Sequence, residues 1–337
     1  MINVAINGFG RIGRLLFRQL NGKANIVAIN DLGDVENLAY LLKFDTVYGR
    51  YDKSVEVKDG NLVVDGVVIK VLQVKDPTQL PWKDMNIDVA VESTGVFESF
   101  EKAKVHLDAG AKRVVITAPT KDAEGTVGGK TILMGVNEEA FKTCIITSNG
   151  SCTTNAVSPV IAILSETIGI EKAIMSTVHA YTATQNIVDG PTKGKDFRRG
   201  RAAGQNIAPS TTGAAVAVAR AIPELNNKFD GIALRVPVVT GSLADITFLA
   251  KRETSIEEVN TILTKAASEP RWQSILKVSN DQIVSSDIVG ESYGAIVDLQ
   301  FTKVIDGDLV KVLSWYDNEW GYASTLVQHI LKAGEAI

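Results

Sequence analysis

Residues 2–13, INVAINGFGRIG, place a short apolar run directly before a glycine-rich turn. The apolar run predicts a buried strand. Apolar residues then recur at helical spacing over residues 12–20, and a second apolar run over residues 25–31 ends in Asp31. This order of strand, turn, helix and strand predicts a parallel βαβ unit, and further α/β alternation follows it.

The glycines of this turn have the spacing G-x-G-x-x-G, which suits a dinucleotide. Gly8 permits the tight turn, Gly10 lets the backbone approach a pyrophosphate, and Gly13 lets helix and strand pack closely. The pyrophosphate would sit at the helix N-terminus, and Asp31 would accept hydrogen bonds from ribose hydroxyls. Because a carboxylate there repels a 2′-phosphate, the pattern predicts NAD rather than NADP. The alternative is a tight turn followed by an acid at this spacing by chance.

A second informative stretch is SNGSCTTN, residues 148–155, in which Cys152 lies between an apolar run and a helical pattern. We therefore expect Cys152 at or near a helix N-terminus, where free N–H groups and the helix dipole favour an anion. Such a thiol is expected to have a lowered pKa and to act as a nucleophile. Pro159 predicts a kink or a late start of the regular helix. Cys144, in an apolar run, is expected to be a buried hydrophobe.

The second half of the chain contributes a histidine that could serve this thiol. His179 closes a predicted strand and is a candidate general base for Cys152, although the sequence does not show that they touch. His106 and His329 lie on predicted helices with ordinary surroundings, and we expect them to be structural.

Basic and hydroxyl residues follow the histidine. The stretch from Val188 to Ser210 has little regular pattern, and its basic residues are Lys193, Lys195, Arg198, Arg199 and Arg201. A solvated face and a nucleic-acid patch are possible interpretations of such a cluster. The adjoining PSTTG, residues 209–213, adds hydroxyls and a glycine N–H, and this combination suits a phosphate group. Arg235 lies within an apolar strand and needs a partner, for which an anionic substrate is one candidate.

Composition bounds the remaining possibilities. The chain has 337 residues, of which 45% are hydrophobic and 22% charged, enough for two domains of a globular protein. A net charge of −4 argues against nucleic acid or an anionic membrane as the main partner. The 2 cysteines cannot build a disulfide framework, and a reactive thiol needs a reducing compartment. We see no signal peptide or membrane-spanning run, and therefore expect a cytoplasmic location.

The motifs together resemble phosphorylating glyceraldehyde-3-phosphate dehydrogenase of the bacterial type, over essentially the whole chain. The matching stretches are NGFGRIGR (7–14), SCTTN (151–155), TVHAYT (177–182), STTGAA (210–215) and WYDNEWGY (315–322). The chain departs from the family pattern at Gly150, Ala156, Val216 and Lys75, and none of these departures removes a catalytic group.

The resemblance implies a fold and an assembly. It implies an α/β Rossmann domain over residues 1–150, completed by a C-terminal helix over residues 318–337. It also implies an α+β catalytic domain over residues 151–317 with a mostly antiparallel or mixed sheet. The expected ligands are NAD, glyceraldehyde 3-phosphate and inorganic phosphate, and the expected assembly is a homotetramer. No metal and no membrane contact are expected, and nucleic acid would be at most a secondary partner.

The resemblance also implies site residues by motif position. Cys152 would be the nucleophile and His179 its activator. Besides the glycine turn, the NAD contacts would be Arg11, Ile12, Asp31, Lys75, Thr117 and Asn318. The two phosphate groups would be held by Ser151, Thr153, Thr182, Arg198, Thr212, Gly213 and Arg235, with Arg199 as the alternative to Arg198.

Three other functions were weighed against this one. Erythrose-4-phosphate dehydrogenase shares the fold and thiol chemistry, but residues 179–185 follow the glyceraldehyde-3-phosphate pattern. An amino-acid semialdehyde dehydrogenase would not require this set of phosphate-binding groups. A non-catalytic nucleotide- or RNA-binding role does not account for Cys152, His179 and Arg235 together.

Overall fold

The computed structural model describes residues 1–192 and 194–337, so Lys193 of the basic stretch lies outside the described residues. The chain divides into two compact units. The first contains Met1–Ile132, Asn137–Gly150 and Ala323–Ile337, and the second contains Leu133–Val136 and Ser151–Tyr322. Within the described ranges, every helix is too short or too polar to cross a membrane.

The first unit is built on a largely parallel sheet. Its strands are β1 (Asn3–Asn7), β2 (Asn25–Asn30), β3 (Val55–Lys58), β4 (Asn61–Val64), β5 (Val67–Leu72), β6 (Val89–Glu92), β7 (Arg113–Ile116), β8 (Lys130–Thr131) and β9 (Ile146–Ser148). Its helices include α1 (Arg11–Leu20), α2 (Val35–Lys43), α3 (Phe100–Ala103) and α4 (Val105–Asp108). The two short helices α3 and α4 are separated at Lys104.

The strand order of this sheet creates a ligand crevice. Among the described residues it is β3-β4-β5-β2-β1-β6-β7-β9-β8, and β1 pairs in parallel with both β2 and β6. The chain therefore builds outward in opposite directions from the neighbouring strands β1 and β6. Doubly wound sheets bind ligands at the carboxyl ends of the strands where the order reverses in this way. The predicted Rossmann architecture is confirmed.

The second unit contains a mixed sheet. Its strands are β10 (Ile170–Ala180), β11 (Ala208–Thr211), β12 (Phe229–Val236), β13 (Ser242–Ala250), β14 (Leu276–Ser279), β15 (Ala295–Ile305) and β16 (Leu309–Tyr316). In the described chain their order is β11-β12-β10-β13-β16-β15-β14. The pairs β10–β12 and β14–β15 are parallel and the other pairs antiparallel, as the prediction of a mixed sheet requires.

Helices pack on this second sheet. They are α5 (Cys152–Thr167), α6 (Ala214–Ala221) and α7 (Ile256–Ala267). The last helix of the chain is α8 (Trp320–Glu335). Ser255 is the N-cap of α7, and its side chain accepts a hydrogen bond from the Glu258 N–H at 3.2 Å. The last helix begins at Trp320 rather than near Asn318, because the Asp317 carboxylate accepts from the N–H groups of residues 319 and 320 at 2.9 and 2.8 Å.

The basic stretch is more regular than the sequence suggests. A 3₁₀ turn covers Phe197–Gly200, and β11 begins at Ala208, so Ser210 belongs to a strand. The arginines at 198 and 199 lie in that turn and are oriented by it. Both side chains pair with Asp196, at 2.8 Å from the Arg198 Nε and 3.7 Å from the Arg199 Nε.

Candidate active site

The glycine-rich turn borders a cavity of about 440 Å³ in the first unit. Gly8 has φ +97°, and a Cβ on it would lie 2.6 Å from the Ser93 carbonyl carbon. A Cβ on Gly10, in contrast, would meet no atom within 4 Å. This face of the turn is therefore open to a ligand, and the first turn of α1 beyond it contains no acidic residue. These features fit the pyrophosphate of a dinucleotide.

Asp31 also lines this cavity, and its carboxylate is held in place by backbone groups. Oδ2 accepts from the Phe9 N–H at 2.7 Å, and Oδ1 accepts from the Gly33 N–H at 2.8 Å. Each oxygen retains a second lone pair, so the carboxylate can accept from ribose hydroxyls as well.

The other predicted cofactor residues have varied surroundings. Lys75 lines the cavity. Arg11 and Ile12 open α1, and the Arg11 guanidinium pairs with Asp45. Thr117 follows β7 and donates its N–H to the Glu92 carbonyl at 3.0 Å.

Asn318 lies in the second unit and is buried. Its Oδ1 accepts from the Gly241 N–H at 3.2 Å and from the Ser242 hydroxyl at 2.9 Å. These contacts fix the side-chain amide between β13 and the start of α8.

Cys152 is the first residue of α5, as predicted. The preceding Ser151 caps the helix, because its hydroxyl accepts from the Thr154 N–H at 3.1 Å. In return the Thr154 hydroxyl accepts from the Ser151 N–H at 3.1 Å. This capping box starts the helix ahead of Pro159, so the predicted late start is wrong and the proline lies inside α5.

His179, near the end of β10, meets the thiol. Its Nε2 lies 3.4 Å from the Cys152 Sγ, so the structure brings together the two groups that the sequence could not place in contact. Its Nδ1 lies 2.7 Å from the Ala180 carbonyl oxygen. The imidazole also packs edge-on against the ring of Tyr316, with 5.9 Å between the centroids.

Arg235 reaches the same imidazole from the neighbouring strand. The parallel register of β10 and β12 pairs His179 with Arg235. The Arg235 Nη1 lies 2.7 Å from the His179 Nδ1 and 3.2 Å from the Ala180 carbonyl oxygen. Its Nε is buried and has no hydrogen-bond partner in the part of the chain that the structure describes. An unsatisfied, buried guanidinium N–H next to the nucleophile is suited to an anionic ligand.

Electrostatics keep this pair uncharged. Burial, together with the positive charge of Arg235, lowers the pKa of His179 to about 3. Burial also raises the pKa of Cys152, although Arg235 and hydrogen bonds from Thr153 act in the opposite direction. The expected lowering of the thiol pKa is therefore wrong, because desolvation exceeds the stabilisation available at the helix N-terminus. At neutral pH the site holds a thiol beside a neutral imidazole.

The basic stretch contributes Arg199 rather than Arg198 to this environment. Arg199 donates to the hydroxyls of Thr184 at 2.7 Å and Ser210 at 2.9 Å, and its charge also lowers the pKa of His179. Arg198 is exposed, and its Nε donates to Asp196 at 2.8 Å. The structure thus favours the second of the two alternatives that the resemblance left open.

Two further hydroxyl groups lie close to these arginines or to a helix start. The Thr182 hydroxyl lies 3.0 Å from that of Thr184, which in turn binds Arg199. Thr212 accepts from the Ala214 N–H at 3.2 Å, and Gly213 is the N-cap of α6.

Thr153 has a different environment from the predicted phosphate contact. Its side chain is buried, and its hydroxyl lies 2.8 Å from the Tyr316 hydroxyl. The Tyr316 hydroxyl lies 2.7 Å from that of Thr177, and burial raises the pKa of this phenol. Hydrogen bonds from Thr153 also lower the pKa of Cys152, against the effect of burial, and its contact with a phosphate group stays a prediction.

The sequence analysis missed Tyr316 and Thr184 as members of the site. Tyr316 falls within a matching stretch, and its polar end in an apolar strand was the available signal. Thr184 gave no such signal, because its role depends on the side-chain direction of Arg199.

Comparisons with known proteins agree with this geometry. Residues 2–100 match the family described as "Glyceraldehyde 3-phosphate dehydrogenase, NAD binding domain", and residues 151–318 match its "C-terminal domain". A glyceraldehyde-3-phosphate dehydrogenase of Mycobacterium avium is 48% identical over 347 residues, covering 100% of this chain and 99% of the relative. The Streptomyces coelicolor enzyme is 46% identical over 341 residues with the same coverage. The Clostridium pasteurianum enzyme is 47% identical over 334 residues, covering 97% of each chain.

Replacing Arg235 should change the titration of the thiol. In Arg235→Gln the loss of a cation removes stabilisation of the thiolate, so the pKa of Cys152 should rise further. We expect alkylation by iodoacetamide at pH 8 to slow about tenfold, equivalent to one pKa unit. The measurement is the alkylation rate between pH 6 and pH 10. Arg252→Gln is the control, since Arg252 is exposed and pairs with Glu258. Identical pH profiles for wild type and Arg235→Gln would contradict the assignment.

Proposed function

This chain belongs to the glyceraldehyde-3-phosphate dehydrogenase family, and we propose from that premise that Cys152 and His179 carry out its chemistry. The reaction is the NAD-dependent oxidation of glyceraldehyde 3-phosphate, coupled to the uptake of inorganic phosphate. The observation that supports the residue assignment is the 3.4 Å contact between the Cys152 Sγ and the His179 Nε2 at the start of α5.

The first step is attack of the sulfur on the aldehyde carbon. Because the resting pair is a thiol and a neutral imidazole, the thiol proton passes to the His179 Nε2 as the carbon–sulfur bond forms. The resulting hemithioacetal oxygen is stabilised by the Cys152 N–H and the His179 ring. For this step the His179 Nε2 must be free of a proton, so the Nδ1 carries it and donates to the Ala180 carbonyl oxygen at 2.7 Å. The Arg235 Nη1 then donates to the same carbonyl oxygen at 3.2 Å and not to the ring.

Oxidation and phosphate transfer follow at the same sulfur. Bound NAD supplies the hydride acceptor for the oxidation. His179 first returns the thiol proton from its Nε2 to the hemithioacetal oxygen, which becomes a hydroxyl. The imidazole takes this proton back as the carbon is oxidised, and a thioester to Cys152 remains. Inorganic phosphate then attacks the thioester carbonyl, the leaving sulfur takes the proton from His179, and an acyl phosphate is released. The covalent intermediate divides one difficult reaction into two easier ones.

The cationic side chains of the second unit suit two phosphate groups. We assign Arg235, Arg199 and the hydroxyl of Thr182 to one region of anion binding. Thr184 connects Thr182 with Arg199, the charges of both arginines act on His179, and the Arg235 Nε has no partner among the described residues. Thr212 and Gly213, at the start of α6, are the second region. Ser151 contributes by capping α5 rather than through a free hydroxyl.

The two units take different roles in this proposal. Residues 1–150, with the C-terminal segment over residues 318–337 that contains α8, form the NAD-binding domain, and residues 151–317 form the catalytic domain. The cavity beside Gly10 and Asp31 supports the first assignment, and the contact between Cys152 and His179 supports the second. A cytoplasmic location is consistent with the need of the thiol for a reducing environment.

An exposed apolar sheet face supports the proposed homotetramer. In the second unit the side chains of β13 alternate between buried and half-buried along the strand. On the less buried face, β10 exposes Ile174 (63%), β12 exposes Ile232 (49%) and β15 exposes Phe301 (52%). Exposed apolar side chains grouped on one sheet face are typical of an interface between subunits.

The reaction is tested by following NADH at 340 nm with glyceraldehyde 3-phosphate, NAD and phosphate. We expect activity that requires phosphate and is much weaker with NADP. Cys152→Ser should lower kcat by about 10⁴-fold or more, because the nucleophile is lost. Erythrose 4-phosphate is measured in parallel, and a higher kcat/KM for it would reverse the substrate assignment. Substantial oxidation by Cys152→Ser would contradict the thioester mechanism.

The adjacent arginines offer a matched pair of variants. Arg199→Gln should raise the KM for glyceraldehyde 3-phosphate or for phosphate at least about tenfold, since a charge-assisted contact is lost. Arg198→Gln should change both KM values by less than about twofold, because exposed ion pairs contribute little. Steady-state kinetics with each substrate varied in turn distinguishes the two, and the reverse order would restore Arg198 to the site.

The assembly is tested by light scattering coupled to size-exclusion chromatography. The wild-type chain should elute as a tetramer. Ile232→Glu places a charge on the apolar sheet face and should shift the mass toward a smaller species, because the charge would be buried without a partner. Val68→Glu, at an exposed position of the β5 hairpin in the first unit, is the control. A tetramer in both variants would show that this face is not the interface.

A further inference from the structure

Three neighbouring strands of the first unit end in buried polar residues at the same register. β2 ends in Asn30, β1 in Asn7 and β6 in Glu92, and the sheet pairs Asn7 with both of the others. All three side chains are buried. They form a row across the point where the strand order reverses, which is where the dinucleotide cavity lies.

Hydrogen bonds connect this row to one side of the cavity. The Glu92 Oε2 accepts from the Asn7 amide at 2.6 Å, and the Asn7 Oδ1 accepts from the Asn30 amide at 2.7 Å. Asn30 in turn binds the backbone of Val74 twice, donating at 3.0 Å and accepting at 2.9 Å. Asn7, Asn30 and Val74 all line the cavity.

The second oxygen of Glu92 holds a different part of the cavity lining. Its Oε1 accepts from the Thr94 N–H at 2.8 Å and also from the Thr94 hydroxyl. That hydroxyl accepts from the Val96 N–H at 3.1 Å, which leaves its proton for Glu92. Thr94 and Val96 line the cavity as well. One carboxylate therefore fixes residues that follow β6 and residues at the ends of β1 and β2.

His106 and Trp82 support the carboxylate from the protein interior. The His106 Nε2 lies 2.9 Å from the Glu92 Oε2, and its Nδ1 accepts from the Trp82 indole N–H at 3.1 Å. An indole nitrogen can only donate, so the Nδ1 carries no proton and the Nε2 donates to Glu92. The imidazole is therefore neutral, and it is completely buried.

These contacts make Glu92 a buried anion whose observed hydrogen-bond partners are all neutral. Both oxygens accept two hydrogen bonds. A buried carboxylate is tolerated only while its donors remain in place. The donors are thereby held in one arrangement, and several of them also line the cofactor cavity.

We propose that Glu92 is a positioning residue for NAD, held in register by His106, and that it preorganises the lining of the cofactor cavity. This inference rests on NAD binding by this chain. A preorganised site loses less conformational freedom when the ligand binds, so the affinity is higher. His106 then has a role beyond the structural one expected from the sequence, because its Nε2 donates to the carboxylate that orders the lining of the cofactor cavity.

The test is the Kd for NAD, measured by calorimetry on folded protein, together with the thermal midpoint of each variant. Glu92→Gln keeps the size of the side chain but places an NH₂ group against existing donors. We expect the Kd to rise about tenfold, and the KM for NAD with it, as the loss of charged hydrogen bonds predicts. The alkylation rate of Cys152 should stay unchanged.

His106 supplies a second, independent pair of variants. His106→Leu removes the donor to Glu92 and should also weaken NAD binding. His106→Gln retains one donor and one acceptor, and should restore most of the affinity. This pair decides the question if Glu92→Gln fails to fold.

His329→Gln is the matched control for loss of a buried histidine in the same unit. His329 is completely buried, and its Nε2 lies 2.7 Å from the Thr147 hydroxyl. This variant should lower the thermal midpoint. The Kd for NAD should stay within about twofold of the wild-type value, because Thr147 does not line the cofactor cavity.

Two outcomes would overturn the inference. One is a lowered thermal midpoint in Glu92→Gln with an unchanged Kd, and the other is an equal Kd in His106→Leu and His106→Gln. The wild-type titration separates this inference from the proposed function. Absence of NAD binding there would contradict the function, whereas binding that is indifferent to Glu92 and His106 would contradict only this proposal.

Discussion

The imidazole of His179 lies between a thiol and a guanidinium, and the reactivity of the second unit depends on its remaining neutral. Burial and the charge of Arg235 both disfavour the imidazolium, and the pKa falls to about 3. A base with so low a pKa is weak in the resting protein, and its thiol partner is also protonated. The attack of Cys152 therefore transfers the proton as the bond forms, instead of starting from a preformed ion pair.

The guanidinium that keeps the imidazole neutral is also the group best placed to receive an anion. Its Nη1 lies 2.7 Å from the His179 Nδ1 and 3.2 Å from the Ala180 carbonyl oxygen, and its Nε has no partner among the described residues. An anionic substrate at Arg235 would offset the charge that lowers the pKa of His179. Binding and activation of the base are then linked by a single Coulombic interaction, made stronger by the low dielectric of a buried site.

The first unit uses a buried charge in a different way. Glu92 is surrounded by neutral donors, whereas His179 faces a cation. In the first case one carboxylate connects neighbouring backbone and side-chain groups through hydrogen bonds. In the second case the charge of Arg235 determines how readily His179 takes up a proton. Both arrangements stand at the carboxyl ends of strands, where parallel neighbours bring side chains into one row.

Local sequence determined much of this protein. The glycine spacing, the strand before it and Asp31 after it were sufficient to predict the βαβ unit and NAD, because turns and periodicity depend on neighbouring residues. The start of α5 at Cys152 was predictable for the same reason, since Ser151 and Thr154 close the capping box within one turn. The mixed sheet followed from the pattern of strands and helices together with the family resemblance.

Only the tertiary structure decided the chemical state of the site. The helix N-terminus predicted a lowered pKa for Cys152, but burial by residues distant in sequence reverses the direction. The preference for Arg199 over Arg198 depended on tertiary contacts, because both guanidinium groups pair with Asp196 but Arg199 also donates to Thr184 and Ser210. The row of Asn30, Asn7 and Glu92 could not be read from one chain segment, because it arises from strand register. Desolvation and register are set by residues far apart in the chain, so a local pattern does not contain them.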